Sequence, residues 1–209
     1  MNIDARADPF WLGRLVHAAS NERDSQVGMW GGLILAPNES RISSAGHTLR
    51  EDGAFLDVDW NRDPVGDLKS NLPVFEPFCP CFAASLWSFS LIEEAGLPDS
   101  GQFLYYDDVE LAYKARILGW RAAFVRDALA YHPMPNTKRT VDRQRQLQLR
   151  GKLLIVVRYF PDSRARSFLL SLSDEERELL SAVDARDRRS FKDDEHRAAV
   201  YNEWANKWL

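Results

Sequence analysis

Residues 103–120 have the sequence FLYYDDVELAYKARILGW, from which the expected fold follows. Its aromatic run at 103–106 is typical of a β-strand, and Asp107 and Asp108 follow it directly. The next residues repeat apolar character at helical spacing until Gly119, which can end a helix. We therefore expect a strand and then a helix, with two adjacent carboxylates at the junction. In open α/β sheets such junctions bind ligands, and the N–H groups at a helix start favour negative charge.

The two carboxylates have a structural interpretation as well as a functional one. A single Asp before a helix is most often an N-cap, whose side chain accepts a hydrogen bond from a first-turn amide. Two adjacent carboxylates raise each other's pKa, which suits a site that takes up a proton or faces a cation. On the residues alone both interpretations stay open for Asp107 and Asp108.

Four motifs in this part of the chain resemble those of family 2 inverting glycosyltransferases. In order they are the acidic pair at 107–108, KAR at 114–116, GW at 119–120 and AYH at 130–132. Each motif alone is weak, but their order and spacing together are fairly specific. The similarity is greatest to the bacterial rhamnosyl- and galactofuranosyl-transferase branch. Within the second motif, Arg116 is expected to brace the helix.

That resemblance implies an α/β protein with the C-terminal part of the GT-A fold, the mixed-sheet fold of nucleotide-diphospho-sugar transferases, followed by a helical region. Residues 1–137 would form the metal and acceptor half of the catalytic domain, and residues 138–209 a basic helical region. Asn2-Ile3-Asp4 falls where the family carries its metal-binding D-x-D signature. In the family a nucleotide-binding half precedes this signature, so the resemblance predicts a truncated domain.

The resemblance also assigns roles to individual residues. Asn2 and Asp4 belong to the signature that meets the cation and the donor diphosphate, and His132 joins Asp4 as a metal ligand. Asp108 would be the general base that takes the proton of the acceptor hydroxyl, and Asp107 would set its pKa and orientation. The cation would neutralise the leaving diphosphate, and a mixed oxygen and imidazole ligand set suits Mn²⁺ or Mg²⁺.

The implied function is transfer of a sugar, with inversion, from a nucleotide-diphospho-sugar to the hydroxyl of a glycan or lipid-linked acceptor in cell-envelope polysaccharide or glycolipid synthesis. No nucleic-acid partner is expected. Two other classes stay open. A non-catalytic remnant that serves as an interaction module would explain the missing nucleotide half, and a phosphoryl transferase or hydrolase could also use paired Asp and a His.

Composition limits the class of protein and its location. The chain has 209 residues, of which 45% are hydrophobic and 28% charged, as in soluble globular proteins. Its N-terminus lacks the apolar core of a signal peptide, so a cytoplasmic location is expected. Residues 138–166 hold nine basic and two acidic side chains. A basic, partly apolar helix at 139–160 would either pack on the acidic front of the protein or rest on the anionic inner face of the cell membrane.

The two cysteines and the other histidines carry no assigned chemistry. Cys79 and Cys81 are too close in sequence for an unstrained disulfide, and a zinc site would need two further ligands at suitable spacing. We expect both to be free thiols. His17, His47 and His196 have no support as metal ligands.

The remaining elements are predicted from hydrophobic spacing, turn residues and helix caps. We expect a helix from Asp8 to Asn21 that buries Trp11, Leu12, Leu15, Val16 and Ala19; one buried strand or a pair at 27–30 and 32–35; a hairpin at 42–58; a binding loop or surface connection at 60–77; a buried strand at 78–84; a helix at 85–95 capped by Ser85; strands at 122–125 and 128–133 around a turn at 126–127; and helices at 140–160, 174–183 and 193–208.

Overall fold

The computed structural model describes residues 1–50, 54–58, 75–99, 102, 104–133, 138–174, 176–177 and 194–205. Strands and helices are mixed along the chain. In order they are β1 (Arg6–Ala7), α1 (Trp11–Asn21), β2 (Val27–Leu35), β3 (Ile42–Ser44), β4 (His47–Leu49), β5 (Phe55–Asp57), β6 (Ser85–Trp87), α2 (Phe89–Ala95), α3 (Asp107–Ile117), β7 (Arg121–Tyr131), α4 (Lys138–Tyr159), α5 (Asp162–Leu170) and α6 (Asp194–Ala205).

The chain divides into two compact units. The first contains Met1–Thr48, Phe55–Gly96 and Leu118–Met134, and the second contains Leu49–Ala54, Leu97–Ile117 and Pro135–Leu209. The second unit thus combines the acidic-pair helix with the C-terminal helices. The sequence-based boundary after residue 137 stays a prediction.

The first unit is built on a mixed sheet with β2 near its centre. β2 runs parallel to β7 and antiparallel to β3 and β6, while β1 pairs antiparallel with the outer side of β7. Nearly every residue of β2 is buried, as expected for a central strand covered on both faces. A separate two-stranded sheet consists of β4 and β5.

The two glycines of β2 allow close backbone approach and do not break the strand. The sequence left open one buried strand or a pair of strands at 27–30 and 32–35, and the structure has a single strand of nine residues. A β-carbon on Gly31 would lie 2.3 Å from Cβ of Pro80, and one on Gly32 would lie 1.8 Å from the carbonyl oxygen of Ala128. Glycine is therefore required here because neighbouring chain segments occupy the space of a side chain.

β7 contains a bulge opposite these glycines. Gly31 pairs with Phe124 and Leu33 pairs with Leu129, so β2 advances two residues while β7 advances five. The predicted turn at 126–127 is this bulge, and the strand continues after it to Tyr131. The bulge brings the Ala128 carbonyl onto Gly32, since extra residues bend the strand that contains them.

Helix α1 covers the sheet with a narrow apolar stripe. Trp11 and Leu15 are buried in a cluster with residues of β2 and β7, and Ala19 packs against that cluster. Leu12 and Val16 are exposed, so their predicted burial was wrong. The sheet covers the helix face that carries Trp11 and Leu15. Leu12 and Val16 lie on a neighbouring face of the helix.

The segment before α2 differs from the sequence-based expectation. The predicted strand at 78–84 is absent from the assigned elements, and Ser85–Trp87 form β6, which pairs with Met29–Gly31. Ser88, and not Ser85, caps the helix, because its hydroxyl oxygen accepts a hydrogen bond from the Leu91 N–H at 3.2 Å. Of the predicted loop at 60–77, residues 60–74 lie outside the described part.

The second unit packs α3 against α4 and α6. Tyr113 stacks on Tyr159 with ring centroids 5.6 Å apart, and the Arg116 guanidinium lies 4.2 Å from the Trp204 ring centroid. The predicted bracing role of Arg116 is thus confirmed as a cation–π contact. Helix α5 was not predicted.

The C-terminal helices agree with the sequence in their main features. The predicted helix at 140–160 is α4, and that at 193–208 is α6, whose described part ends at Ala205. The expected capping box is present, because Ser173 N–H donates to Glu176 Oε2 at 2.8 Å and Glu176 N–H donates to the Ser173 hydroxyl at 3.3 Å. Beyond residue 177, the helix predicted at 174–183 lies outside the described part of the chain.

The second half of α4 is covered by protein. Its apolar residues from Leu153 to Val157 are buried, and so is Arg158. This burial supports the packing interpretation for that half of the helix. In the part of the chain that the structure describes, no helix is both long and apolar enough to cross a membrane. Contact of residues 139–160 with a membrane surface stays a prediction.

Replacing Gly32 tests the close approach of β2 and β7. We expect Gly32→Ala to lower the free energy of unfolding by about 3 kcal/mol or more, because the Ala128 carbonyl in β7 must move away to admit a methyl group. Gly13→Ala is the control: no heavy atom lies within 4 Å of its β-carbon, and alanine favours the helix by about 0.5–1 kcal/mol. Urea unfolding measures both, and equal stabilities would contradict the packing described.

Candidate functional site

Strand pairing at the edge of the first sheet brings Asp4 and His132 together. β1 pairs with the end of β7, with Arg6 opposite Tyr131, and the His132 N–H donates to the Leu35 carbonyl at 2.9 Å. His132 is therefore fixed between β1 and β2. Oδ1 of Asp4 lies 3.3 Å from Nε2 of His132, although 128 positions separate the two residues.

A short turn places Asp4 at this edge. The Asn2 N–H donates to the Ala83 carbonyl at 3.0 Å, and the Asn2 carbonyl accepts a hydrogen bond from the Ala5 N–H at 3.2 Å. The backbone of Asn2 thus anchors the turn that carries Asp4. Any contact of Asn2 with a cofactor stays a prediction.

The geometry of the Asp4 and His132 pair fits part of a cation site. Two ligands about 2.0–2.2 Å from one cation, at ordinary coordination angles, lie roughly 3 to 3.6 Å apart. The Asp4 side chain is 56% exposed and that of His132 is 24% exposed, which leaves room for further ligands. An ion pair without metal gives the same separation. The metal role of both residues is therefore a prediction that titration can test.

Two charged side chains near this edge, Arg6 and Glu39, had no role in the sequence-based predictions. The Arg6 guanidinium is 4.0 Å from the Tyr131 ring centroid. Burial and a hydrogen bond with the Glu39 carboxylate raise the pKa of Tyr131 above its ordinary value. Arg6 is exposed and only two residues from Asp4, so it adds a positive charge where an anionic ligand would approach. The basic residue beside the N-x-D motif was visible in the sequence.

In the second unit, the acidic pair follows a strained turn and not a strand. Residues 104–106 have no regular structure, so the predicted aromatic strand was wrong. Tyr105 has φ 62° and Tyr106 has φ 65°, both in the left-handed region, which costs L-residues roughly 1–2 kcal/mol each. Gly151 makes room for this turn, because a β-carbon there would lie 2.8 Å from the Tyr105 carbonyl oxygen. Such strain is concentrated at functional sites.

Asp107 and Asp108 begin α3 immediately after this turn. Asp108 is only 7% exposed, and its Oδ1 accepts a hydrogen bond from the Val109 N–H at 2.8 Å. The Glu110 N–H donates to the Tyr106 carbonyl at 2.8 Å and closes the first turn of the helix. The Asp108 bond joins neighbouring residues inside the helix and is not an N-cap bond, so the capping interpretation stays open for both carboxylates. The predicted catalytic roles of both carboxylates stay predictions.

The buried carboxylate of Glu110 holds the start of α3 in place, although the sequence motifs gave this residue no role. Glu110 is fully buried, and its Oε1 accepts hydrogen bonds from Lys114 Nζ at 2.9 Å and from the Tyr159 hydroxyl. Its Oε2 accepts from the Asp99 N–H at 3.0 Å. Lys114 Nζ also donates to the Leu97 carbonyl at 3.0 Å. The sequence signal for this pair was the spacing of four residues between Glu110 and Lys114, which places the two side chains side by side on a helix.

A second group of ligand-type side chains occurs in the first unit. His47, Asp57 and Cys81 each present one donor atom, and these atoms lie within 4.8 Å of one another. Cys79 and Cys81 form no disulfide, as predicted. The sequence gave His47 no support as a ligand, because its neighbours come from segments 10 and 34 positions away.

Comparisons with known proteins show the fold of this chain and no family. Neither the comparison with protein families nor that with curated proteins gives a match. Among solved structures, the crystal structure of GalNAc-T7 with UDP, GalNAc and Mn²⁺ is similar, with a TM-score of 0.53 and 14% sequence identity over 90% of this chain. This chain has part of the GT-A fold. It spans 38% of the length of that structure, and the fold expected from the sequence is confirmed.

Tyr159 offers a test of the buried network through pH. Burial and the Glu110 carboxylate raise the pKa of Tyr159 above its ordinary value, so the folded state favours the protonated hydroxyl. This stabilisation is fully present below the unfolded pKa of about 10, and it is lost at higher pH by about 1.4 kcal/mol per pH unit. We expect Tyr159→Phe to fold at pH 7 and to lose this part of the alkaline destabilisation. Parallel curves of unfolding free energy against pH would contradict the assignment.

Proposed function

We propose that this chain is the cation- and acceptor-binding part of a glycosyltransferase that moves a sugar from a nucleotide-diphospho-sugar to an acceptor hydroxyl. The observation that carries the proposal is the 3.3 Å approach of Asp4 and His132 at a sheet edge of a GT-A fold. The family resemblance of the sequence independently assigns both residues to the metal. Their juxtaposition is what a shared ligand role requires, because strand pairing alone does not demand a carboxylate and an imidazole at this edge.

The cation is best described as Mn²⁺ or Mg²⁺. Asp4 and His132 would hold it with a carboxylate oxygen and an imidazole nitrogen, a donor set without sulfur that suits these ions. When bound, such an ion supplies positive charge that stabilises a leaving diphosphate. The similar structure of GalNAc-T7 contains UDP, GalNAc and Mn²⁺, which supports a nucleotide-sugar donor and a divalent cation for this chain. Arg6 would add a second positive charge for the donor.

Asp108 is our proposed general base, and Asp107 its neighbour that sets its pKa and orientation. The acceptor hydroxyl must lose a proton as it attacks the sugar, and a positioned carboxylate can accept that proton. The Val109 N–H orients one oxygen of Asp108, and the left-handed residues Tyr105 and Tyr106 fix the backbone in front of it. An N-cap alone requires neither the strained turn nor a second carboxylate.

The narrower features of the function rest on sequence motifs alone. The order of the acidic pair, KAR, GW and AYH favours inversion and a rhamnosyl- or galactofuranosyl-transferase type of reaction. It also favours a glycan or lipid-linked acceptor in cell-envelope synthesis, at the cytoplasmic side of the membrane. Basic residues of α4 would then lie near anionic lipid, for which the positive charge of residues 138–166 is the supporting observation.

Substitution of Asp108 tests the proposed base. We expect Asp108→Asn to keep the fold and to lower the rate of sugar transfer by roughly 10²- to 10⁴-fold, because an amide cannot accept the hydroxyl proton. Transfer from a panel of nucleotide sugars, with Mn²⁺ present, measures the effect. Asp174→Asn is the matched control, since Asp174 is an exposed residue at the start of another helical turn.

Normal transfer by Asp108→Asn would contradict the assignment of the base. Sugar-nucleotide binding by the wild-type chain without any transfer would favour the non-catalytic interaction module. Hydrolysis of the donor that does not depend on an acceptor would favour a hydrolase.

Substitution of the ligand pair tests the cation site. We expect Asp4→Asn and His132→Ala each to weaken Mn²⁺ binding at least 10- to 100-fold, because loss of a supporting group alone often has an effect of this size. Isothermal titration with Mn²⁺ measures it. His17→Ala is the control, because His17 is exposed on α1 and its ring lies near the Asn21 amide of the same helix. Mn²⁺ affinity that is equal in all four proteins would contradict the site.

A further inference from the structure

We propose that His47, Asp57 and Cys81 form a second metal site, specific for a thiophilic transition-metal ion such as Zn²⁺. This site is independent of the proposed transferase function and uses none of its residues. It lies in the first unit, where β4 and β5 supply two ligands and the segment before β6 supplies the third.

The donor atoms of the three side chains lie close together, and one pair of them has the separation of two ligands of one ion. The donor atoms of the three side chains lie within 4.8 Å of one another, and Nδ1 of His47 is 3.3 Å from Oδ1 of Asp57. A nitrogen and an oxygen that are each about 2.0–2.2 Å from zinc at a tetrahedral angle lie roughly 3.3–3.6 Å apart. All three residues are half-buried, so solvent can supply a fourth ligand. Three protein ligands and one open position form a known type of zinc site.

Backbone hydrogen bonds place Asp57 beside His47. The Ala45 N–H donates to the Val58 carbonyl at 3.1 Å, and the Val58 N–H donates to the Gly46 carbonyl at 2.8 Å. These bonds join the residues next to His47 and the residue next to Asp57. The approach of the imidazole and the carboxylate is therefore fixed by main-chain pairing.

A second set of backbone bonds places the cysteine segment. The His47 N–H donates to the Cys79 carbonyl at 2.8 Å, and the Phe78 N–H donates to the His47 carbonyl at 2.7 Å. Gly46, at φ 98°, permits this contact, because a β-carbon there would lie 3.0 Å from the Cys79 carbonyl oxygen. Cys81 follows two residues later. The main chain thus brings the segments that carry all three ligands together without the ion.

The ligand types select the ion. A thiolate and an imidazole together favour Zn²⁺ and similar ions, whereas carboxylate and water favour Mg²⁺ and Mn²⁺. The pair Asp4 and His132 contains no sulfur. The chain would therefore sort two kinds of cation between two sites. A hydrogen-bonded pair of His47 and Asp57 would also explain the 3.3 Å distance, but it would not require Cys81 to bind anything.

Titration of the full chain with Co²⁺ and Zn²⁺ tests the site. Co²⁺ stands in for zinc because a cobalt–thiolate bond gives a charge-transfer band in the near ultraviolet. We expect the wild type to show this band and to reach its full intensity with one Co²⁺ ion bound per chain. Cys81→Ser should abolish the band and weaken Zn²⁺ binding at least 100-fold, a larger loss than the roughly 10- to 100-fold effect of removing a supporting group.

Matched variants distinguish the sites and the two cysteines. Cys79→Ser should keep the band and the Zn²⁺ affinity, because Cys79 contributes its backbone and not its thiol. Asp57→Asn should weaken Zn²⁺ binding while keeping the thiol and the fold, which circular dichroism checks, and it stands in for Cys81→Ser if that variant fails to fold. The double variant Asp4→Asn with His132→Ala should keep the band.

Three results would overturn the proposal. The first is no thiolate band in the wild-type chain at any Co²⁺ concentration. The second is unchanged Zn²⁺ affinity in Cys81→Ser or in Asp57→Asn. The third is that Cys81→Ser retains the band while it is lost in another folded variant, either Cys79→Ser or the double variant Asp4→Asn with His132→Ala.

Discussion

The parallel pairing of β2 and β7 is the constraint on which the first unit depends. It requires a residue without a side chain at Gly32, because the Ala128 carbonyl occupies the position of a β-carbon. Once β7 is fixed along β2, its end carries His132 to the Leu35 carbonyl, and β1 adds to its outer side. The approach of Asp4 to His132 follows from these pairings. A local packing requirement in the sheet thus determines the geometry of the candidate cation site.

In the second unit a buried charge has the corresponding role. Glu110 is enclosed by the Lys114 ammonium, the Tyr159 hydroxyl and the Asp99 N–H. Taking a carboxylate out of water is costly, so its partners hold it in one arrangement, and removing a partner leaves an unsatisfied charge. Because Glu110 lies in the first turns of α3, the network fixes the helix start where Asp107 and Asp108 lie. Tyr159 connects this arrangement to α4.

Several local signals in the sequence predicted the structure well. The helix that contains the acidic pair runs from Asp107 to Ile117, and Gly119, at φ 90°, follows its end as expected. The capping box at Ser173 is present because its two hydrogen bonds join residues only three apart. Prediction failed for Ser85, which pairs in β6, because a neighbouring strand competes with the helix cap for the same residues. Periodicity within a segment contains no information about that competition.

The mixed α/β class, the partial GT-A fold implied by the family resemblance, and the choice of Asp4 and His132 as partners could all be predicted from the sequence. The left-handed turn at Tyr105 and Tyr106, the partners of Glu110, and the meeting of His47 with Asp57 and Cys81 emerge only in the folded chain. The difference is one of range along the chain. Caps, helical spacing and turn residues act over a few positions, whereas these contacts join segments whose separation and register are set by strand pairing and by the packing of buried side chains.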